Sequence, residues 1–190
     1  TTLMGSASFT DPHTVRVESL TGAVDYHAEN IVIATGTKPA ASPKVPYNNR
    51  NIINSDQILN MPEIPKTFIV VGGGVIGVEF TCMFAALGVR MILVEKRPRL
   101  LEFADGEMVE ALSYHLRDTR VTMRLNEEVS SVEEMPDGSV VANLESNKKI
   151  TGSALLYAVG RQGNVDELNL AAAGLEADDR GRIKVDADFR

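Results

Sequence analysis

Six consecutive residues, Gly72-Gly73-Gly74-Val75-Ile76-Gly77, satisfy G-x-G-x-x-G, and Glu95 stands about 20 residues further on, followed at once by Lys96 and Arg97. Those residue types at that spacing suit one kind of chemistry, the capture of a phosphate-linked ribose compound. Gly72 permits a tight turn, and Gly74 lets the main chain approach a pyrophosphate with no Cβ in the way. Gly77 lets a helix lie close against a sheet. The amides of Gly74, Val75 and Ile76 then fall at a helix N-terminus, where unpaired N–H groups and the helix dipole favour an anion. Glu95 is placed to accept hydrogen bonds from ribose hydroxyls. A dinucleotide site is expected here, and a purely structural glycine turn is the rival reading.

Such a turn works only between the right elements. Phe68-Ile69-Val70-Val71 precedes it with the composition of a buried strand. Ile76, Phe80, Met83, Phe84 and Leu87 form the apolar face of a helix that Gly88 stops. Met91-Ile92-Leu93-Val94 makes a second strand ending on Glu95. The result is a βαβ unit. Asp105 suits the N-cap of a second helix to about Asp118, with Met108, Ala111, Leu112, His115 and Leu116 expected on its inward face. Val121 to Leu125 reads as a third strand. Val129 to Ile150 reads as a β-meander turned at Asp137-Gly138, and Ala154 to Ala158 as a buried strand.

Ahead of this unit, Ala7-Ser8-Phe9, Val15 to Glu18 and Val24-Asp25-Tyr26 alternate as a small meander, and Ile31-Val32-Ile33-Ala34 is expected to be a buried strand. Most of the prolines (Pro39, Pro43, Pro46, Pro62 and Pro65) fall in a stiff connector, interrupted by a short helix from Ser55 to Leu59 with Ser55 or Asn54 as its cap. Each meander region ends in a buried run and an Ala-x-Gly: Ala34-Thr35-Gly36 and Ala158-Val159-Gly160. Two domains of similar architecture, one represented by its tail, would produce that pattern.

The 190 residues carry a net charge of −7, which argues against non-specific nucleic-acid binding. No apolar run approaches the length of a membrane span, and no leader pattern opens the chain. One cysteine, Cys82, rules out an intrachain disulfide and fits a reducing, cytoplasmic setting. It sits with Val78 and Ala86 on a small-residue stripe expected to face the sheet as an inert thiol. His13 and His27 have no carboxylate or cysteine at ligand spacing, and His115 follows Met108 and Leu112 on an apolar face where packing or an interdomain contact is expected, so no metal site and no catalytic side chain are assigned. The Thr-Thr start and the half-finished pattern at the end suggest a piece of a longer protein.

Taken in order, an Ala-Thr-Gly strand end, a proline-rich crossing, Gly72 to Glu79, an acidic strand end, a meander and Ala158-Val159-Gly160-Arg161 resemble the flavin-dependent pyridine nucleotide–disulfide oxidoreductases over essentially the whole chain. Within that family, Ala111 to His115, Asn126 to Glu128, Leu155 to Ala158, Gly160 to Asn164 and Arg180 to Asp186 are similar to the soluble pyridine nucleotide transhydrogenase branch. The resemblance implies an α/β, Rossmann-like FAD/NAD(P)-binding fold. It would have a parallel sheet with a three-stranded meander, plus a partial segment of a second similar domain. Residues 1–38 would end an FAD domain, 39–66 cross between domains, 67–160 form the NAD(P) domain, and 161–190 begin the return into the FAD domain.

The implied cofactors are NAD(P) on this chain and FAD in the intact protein, a homo-oligomer acting on NAD(H) and NADP(H) without nucleic acid or membrane. Hydride would pass from NADPH to NAD+ through the flavin, while this chain alone would bind nicotinamide nucleotide and turn nothing over. By the same resemblance, Glu79 and Gly160 lie near the nicotinamide, Val129 on the adenine side, and Thr35, Gly36 and Thr37 against FAD. Glu95 beside Lys96 and Arg97 would let one pocket accept either nucleotide, with a solvated basic loop as the alternative. A dihydrolipoamide dehydrogenase-like dithiol reductase, marked by an upstream C-x4-C pair, and a non-catalytic NAD(P)-binding module are the rival functions.

Overall fold

Alternation of apolar and polar residues makes hairpins of the first 27 residues. β1 (Ser6–Asp11), β2 (Thr14–Ser19) and β3 (Gly22–His27) pair antiparallel in sequence order, Ser6 opposite Glu18 and Thr14 opposite His27. The computed structural model describes all 190 residues, Thr1–Arg190, as two compact units, 1–38 with 161–190 and 39–160. In the first unit Ile31–Ala34 is not the buried strand expected. No strand of any sheet pairs with it, and Val32 is 88% exposed. An apolar run without a ladder partner buries only alternate side chains. Here Ile31 and Ile33 pack on the cluster around Phe9, Leu168 and Leu170.

β4 (Thr37–Pro39) leads into the second unit, where β5 is only Ile52–Ile53. The short helix expected over Ser55–Leu59 is smaller, a 3-10 turn at Ile58–Asn60. Asn54 Oδ1 caps the residues before it, accepting from the amides of Asp56 (3.0 Å) and Gln57 (3.1 Å). Pro62 and Pro65, which cannot donate, follow too closely for a longer helix.

The remaining elements of this unit are β6 (Thr67–Val71), α1 (Val75–Ala86), β7 (Arg90–Glu95), α2 (Gly106–Asp118), β8 (Thr122–Leu125), β9 (Val129–Glu134), β10 (Val140–Leu144), β11 (Lys149–Gly152) and β12 (Ala154–Tyr157). A parallel sheet runs β5-β12-β6-β7-β8, with Val70 between Leu156 and Leu93 in register. The antiparallel meander β11-β10-β9 forms a separate sheet. One core cluster joins Phe68, Val70, Leu93 and Leu156 to Val78, Val109 and Leu116 of the helices. A second joins Ile69, Val71, Val94 and Leu155 to Val132, Val140 and Leu144 of the meander. Alternate residues of each central strand thus enter different cores, which is why these strands read as unbroken apolar runs.

The helix faces depart from expectation. On α1 the buried residues are Gly77, Val78 and Thr81, while Met83 and Leu87 are exposed. Cys82 is partly buried and packs against the first core cluster, whereas Ala86 is exposed. On α2, Val109, Ser113 and Leu116 are buried, whereas Met108 is 69% exposed and Ala111 and His115 face out. A small serine fits the close approach to the sheet that an apolar count assigns to a neighbouring face. Asp105 does cap α2, its Oδ1 accepting from Glu107 (3.0 Å) and Met108 (3.3 Å).

After β12 the chain re-enters the first unit through β13 (Arg161–Gly163), which pairs with β4. The amide of Phe9 donates to the carbonyl of Leu168 (2.8 Å), and Asn169 Nδ2 donates to the carbonyl of Phe9 (2.9 Å), tying this return to β1. No helix is long and apolar enough to cross a membrane.

Candidate dinucleotide site

The end of β6 is turned by Gly72, whose φ of +112° lies in the region that favours glycine. A Cβ at Gly72 would stand 2.5 Å from the carbonyl oxygen of Ala158, so the turn is pressed against the end of β12. A Cβ at Gly77 would stand 1.9 Å from the carbonyl oxygen of Gly72, so the first turn of α1 rests directly on the glycine turn. Gly74 is the opposite case. Nothing lies within 4 Å of the Cβ position there. The first helical bond runs from the amide of Val78 to the carbonyl of Gly74 (3.0 Å), which leaves the amides of Val75, Ile76 and Gly77 without intrahelical acceptors. An open face therefore stands in front of a helix N-terminus.

Glu95 ends β7, 7% exposed, and its carboxylate turns back toward the glycines. Oε2 accepts from the amide of Gly73 at 2.5 Å and Oε1 from the amide of Arg97 at 2.9 Å. An ionised carboxylate offers about four lone-pair sites, so capacity remains for a diol. The sequence reading missed that Glu95 also braces the glycine turn.

Gly72, Gly74, Glu95, Lys96, Arg97, Val129 and Gly160 line one cleft of about 220 Å³. Gly73 is buried behind it, held by Glu95 and by Leu101, whose amide donates to the Gly73 carbonyl (2.9 Å). Val75, Ile76 and Gly77 form the head of α1 outside the lining, and Glu79 is exposed further along that helix. Thr35, Gly36 and Thr37 belong to the first unit. There Thr37 Oγ1 and its carbonyl each accept from Arg161 at 2.7 Å, and the Gly36 carbonyl accepts from Asn164 at 3.1 Å.

Glu127, Glu128 and Tyr157 also line the cleft and were not anticipated. Their signal was topological, since ligands of open α/β sheets bind beyond the carboxyl ends of the strands, and these residues follow or end β8 and β12. Buried Glu127 accepts from Ser146 Oγ and Lys148 Nζ, both at 2.6 Å. The Lys148 ammonium, then the Ser146 hydroxyl, hold its carboxyl below the usual carboxylate range against the opposing effect of burial. The Tyr157 ring meets Tyr47 edge-on, with centroids 6.4 Å apart. Of the two cations, Arg97 pairs with Glu102, while Lys96 makes no ion pair. Burial, and secondarily the Glu79 carboxylate, push the Cys82 thiol up, so it stays protonated and unreactive.

The profile of the pyridine nucleotide-disulphide oxidoreductase family matches residues 1–190. The chain belongs to that family. The soluble pyridine nucleotide transhydrogenase of Mycobacterium tuberculosis (strain ATCC 25177 / H37Ra) is 45% identical over 196 residues, covering 99% of this chain and 40% of the relative. That of Vibrio cholerae serotype O1 is 43% identical over 191 residues, covering 100% of this chain and 41% of the relative. Among solved structures, the HOCl-induced flavoprotein disulfide reductase RclA from Escherichia coli has a TM-score of 0.85 at 31% identity, over 96% of this chain and 41% of that one. LpdA from M. tuberculosis has a TM-score of 0.87 at 24% identity, over 96% of this chain and 40% of that one, and speaks to the fold alone. The chain thus spans about 40% of the length of the curated relatives it matches.

Within this chain the chemistry of the cleft suits a dinucleotide. The open face at Gly74 and the free amides behind it can seat a pyrophosphate, and Glu95 retains acceptors for hydroxyls. Gly160, at φ +84° with nothing within 4 Å of its Cβ position, leaves backbone open at the far wall.

Proposed function

We infer that residues 67–160 bind a nicotinamide dinucleotide for a flavoprotein oxidoreductase, and that the whole protein transfers hydride between NADPH and NAD+ through FAD. In this reading 1–38 and 161–190 are parts of an FAD domain, and 39–66 crosses between domains. The observation that carries the inference is the contrast inside one glycine motif: Gly72, Gly73 and Gly77 are closed against their neighbours and Gly74 alone is open, at the head of α1. Support for the reaction comes from relatives 43–45% identical that are named soluble pyridine nucleotide transhydrogenase. A cytoplasmic homo-oligomer acting on NAD(H) and NADP(H), with no nucleic acid or membrane as partner, belongs to the same reading.

The nicotinamide ring supplies the hydride chemistry when bound, and the chain's part is binding and orientation. The amides of Val75 and Ile76 hold the pyrophosphate, and Glu95 the adenosine ribose. Lys96 and Arg97 face a 2′-phosphate when one is present, and Val129 lies on the adenine side. Gly160 and Glu79 serve the nicotinamide end, and Thr35, Gly36 and Thr37 touch FAD. Titrating NADH and NADPH into the chain by calorimetry should give one site for each, with no flavin absorbance in the protein. Binding of neither nucleotide would refute the site, and stoichiometric FAD would refute the assignment of 1–38 and 161–190 as an incomplete flavin domain.

The 31% identity to a flavoprotein disulfide reductase favours a second reading, a dithiol reductase. A C-x4-C pair in the whole protein, with NADH-dependent reduction of a disulfide, would select it. Cys82 cannot serve, being a single protonated thiol. A colourless whole protein would instead select a non-catalytic NAD(P)-binding module.

A further inference from the structure

Arg97 lines the cleft, yet its charge is compensated from outside the lining. Its Nε stands 3.2 Å from Glu102 Oε2, with the two side chains 49% and 58% exposed. The backbone of Arg97 is held on both sides: its amide donates to Glu95 Oε1 (2.9 Å), and its carbonyl accepts from Asn126 (3.1 Å). Only the side chain can be re-aimed.

Glu102 is positioned just as deliberately. Arg99 Nη2 donates to the carbonyls of Glu102 (2.5 Å) and Ala104 (3.1 Å). Leu101, in the left-handed region at φ +42°, donates its amide to the Gly73 carbonyl (2.9 Å), and fully buried Leu100 abuts Gly73. The loop that presents the Glu102 carboxylate is therefore fastened to the glycine turn itself.

We propose that Glu102 is a specificity-determining residue: it competes within the chain against a 2′-phosphate for the Arg97 guanidinium, and so sets the preference of the cleft between NAD(H) and NADP(H). The proposal rests on the dinucleotide reading above. With a 2′-hydroxyl in place, Arg97 stays on Glu102 and its guanidinium keeps a counter-charge. With a 2′-phosphate in place, the guanidinium exchanges a monoanionic carboxylate for a dianion it can grip with two parallel hydrogen bonds. The exchange costs little because an exposed ion pair is weak. Lys96, free of any such counter-charge, attracts both ligands' phosphates without this control.

The test compares dissociation constants of NADH and NADPH for the 190-residue chain, its Glu102→Gln and Arg97→Ala variants and the double variant, by calorimetry at low salt. Glu102 lies outside the cleft lining on an exposed loop, so the substitution leaves the glycine turn intact. Glu102→Gln should tighten NADPH about two- to fivefold, the range expected for releasing an exposed pair, and leave NADH unchanged. The gain should vanish in the Arg97→Ala background and shrink as salt is added. Unaltered NADPH binding, equal tightening of NADH, or a gain that survives Arg97→Ala would each overturn the role of Glu102. A wild-type chain that binds neither nucleotide would instead overturn the dinucleotide reading, and the proposal with it.

Discussion

Two glycines three residues apart should fail in opposite ways when each is replaced by alanine. At Gly77 the added methyl would lie 1.9 Å from the Gly72 carbonyl oxygen and 3.3 Å from Val70 Cγ1. A carbon–oxygen contact relaxes only beyond about 3 Å, so α1 must move off the turn by roughly 1 Å, against a core in which Val78 and Thr81 are buried. Overpacking of this kind costs about 3 kcal/mol. At Gly74 the methyl meets nothing within 4 Å, and φ −81°, ψ −176° is allowed to any residue. Loss of glycine at an N-cap costs up to about 1 kcal/mol, and the stiffer unfolded chain returns about 0.4–1 kcal/mol. Stability should therefore change by no more than about 1 kcal/mol, while the methyl would occupy the proposed seat of the pyrophosphate and weaken NADH by roughly a hundredfold or more. Urea denaturation and NADH calorimetry on both variants read the two effects separately. A Gly74→Ala chain that binds NADH normally would refute the pyrophosphate seat. A Gly77→Ala chain as stable as wild type would refute the interlock.

Glu95→Ala removes an acceptor from the amides of Gly73 and Arg97, so it should lower stability by about 2–4 kcal/mol in urea denaturation and weaken NADH more than NADPH. An unchanged NADH/NADPH ratio would remove the ribose role while leaving the structural one. Arg97→Ala should raise the dissociation constant of NADPH about tenfold and leave NADH nearly unchanged, as measured by calorimetry. Glu127 has a folded carboxyl below its unfolded value of about 4.3. Its contribution to stability is therefore full above that pH and is lost as pH falls through the folded value. Carbon-13 NMR should find its midpoint among the lowest of the glutamates, and Lys148→Ala should move it upward; a midpoint unmoved by that change would refute the pairing.

What was legible in the sequence is what depends on residue type along a single element. The strands at 67–71, 90–95 and 154–157 are buried on both faces, so their apolar runs could hardly be mistaken. The glycine turn was legible because its spacing is contained in one strand–helix junction, where Gly77 rests on the Gly72 carbonyl five residues back. What was not legible depends on a neighbour distant in the chain. Ile31–Ala34 has strand composition, but composition does not supply a ladder partner. The inward face of α2 includes Ser113 and excludes Met108, since the space left by the sheet, rather than hydropathy, decides it. Glu127 joins the cleft because its amide is tied to the Glu95 carbonyl (3.1 Å), a link between two strand ends that no spacing reveals.

The double engagement of Glu95 limits how this cleft can alter its preference. In a site where the acid at the strand end only contacts ribose, replacing it shifts the balance toward a 2′-phosphate at small structural cost. Here the same carboxylate secures Gly73, one residue before the proposed pyrophosphate seat, so changing it would disturb the part of the site proposed to serve both nucleotides. On the proposed reading, discrimination by removal of the acid is thus coupled to weaker binding of both nucleotides. The remaining freedom lies on the cationic side, where Arg97 has a fixed backbone and a movable side chain, and Glu102 offers it a second partner. A chain accepting both nucleotides can keep its acid in place and let one guanidinium choose between two anions.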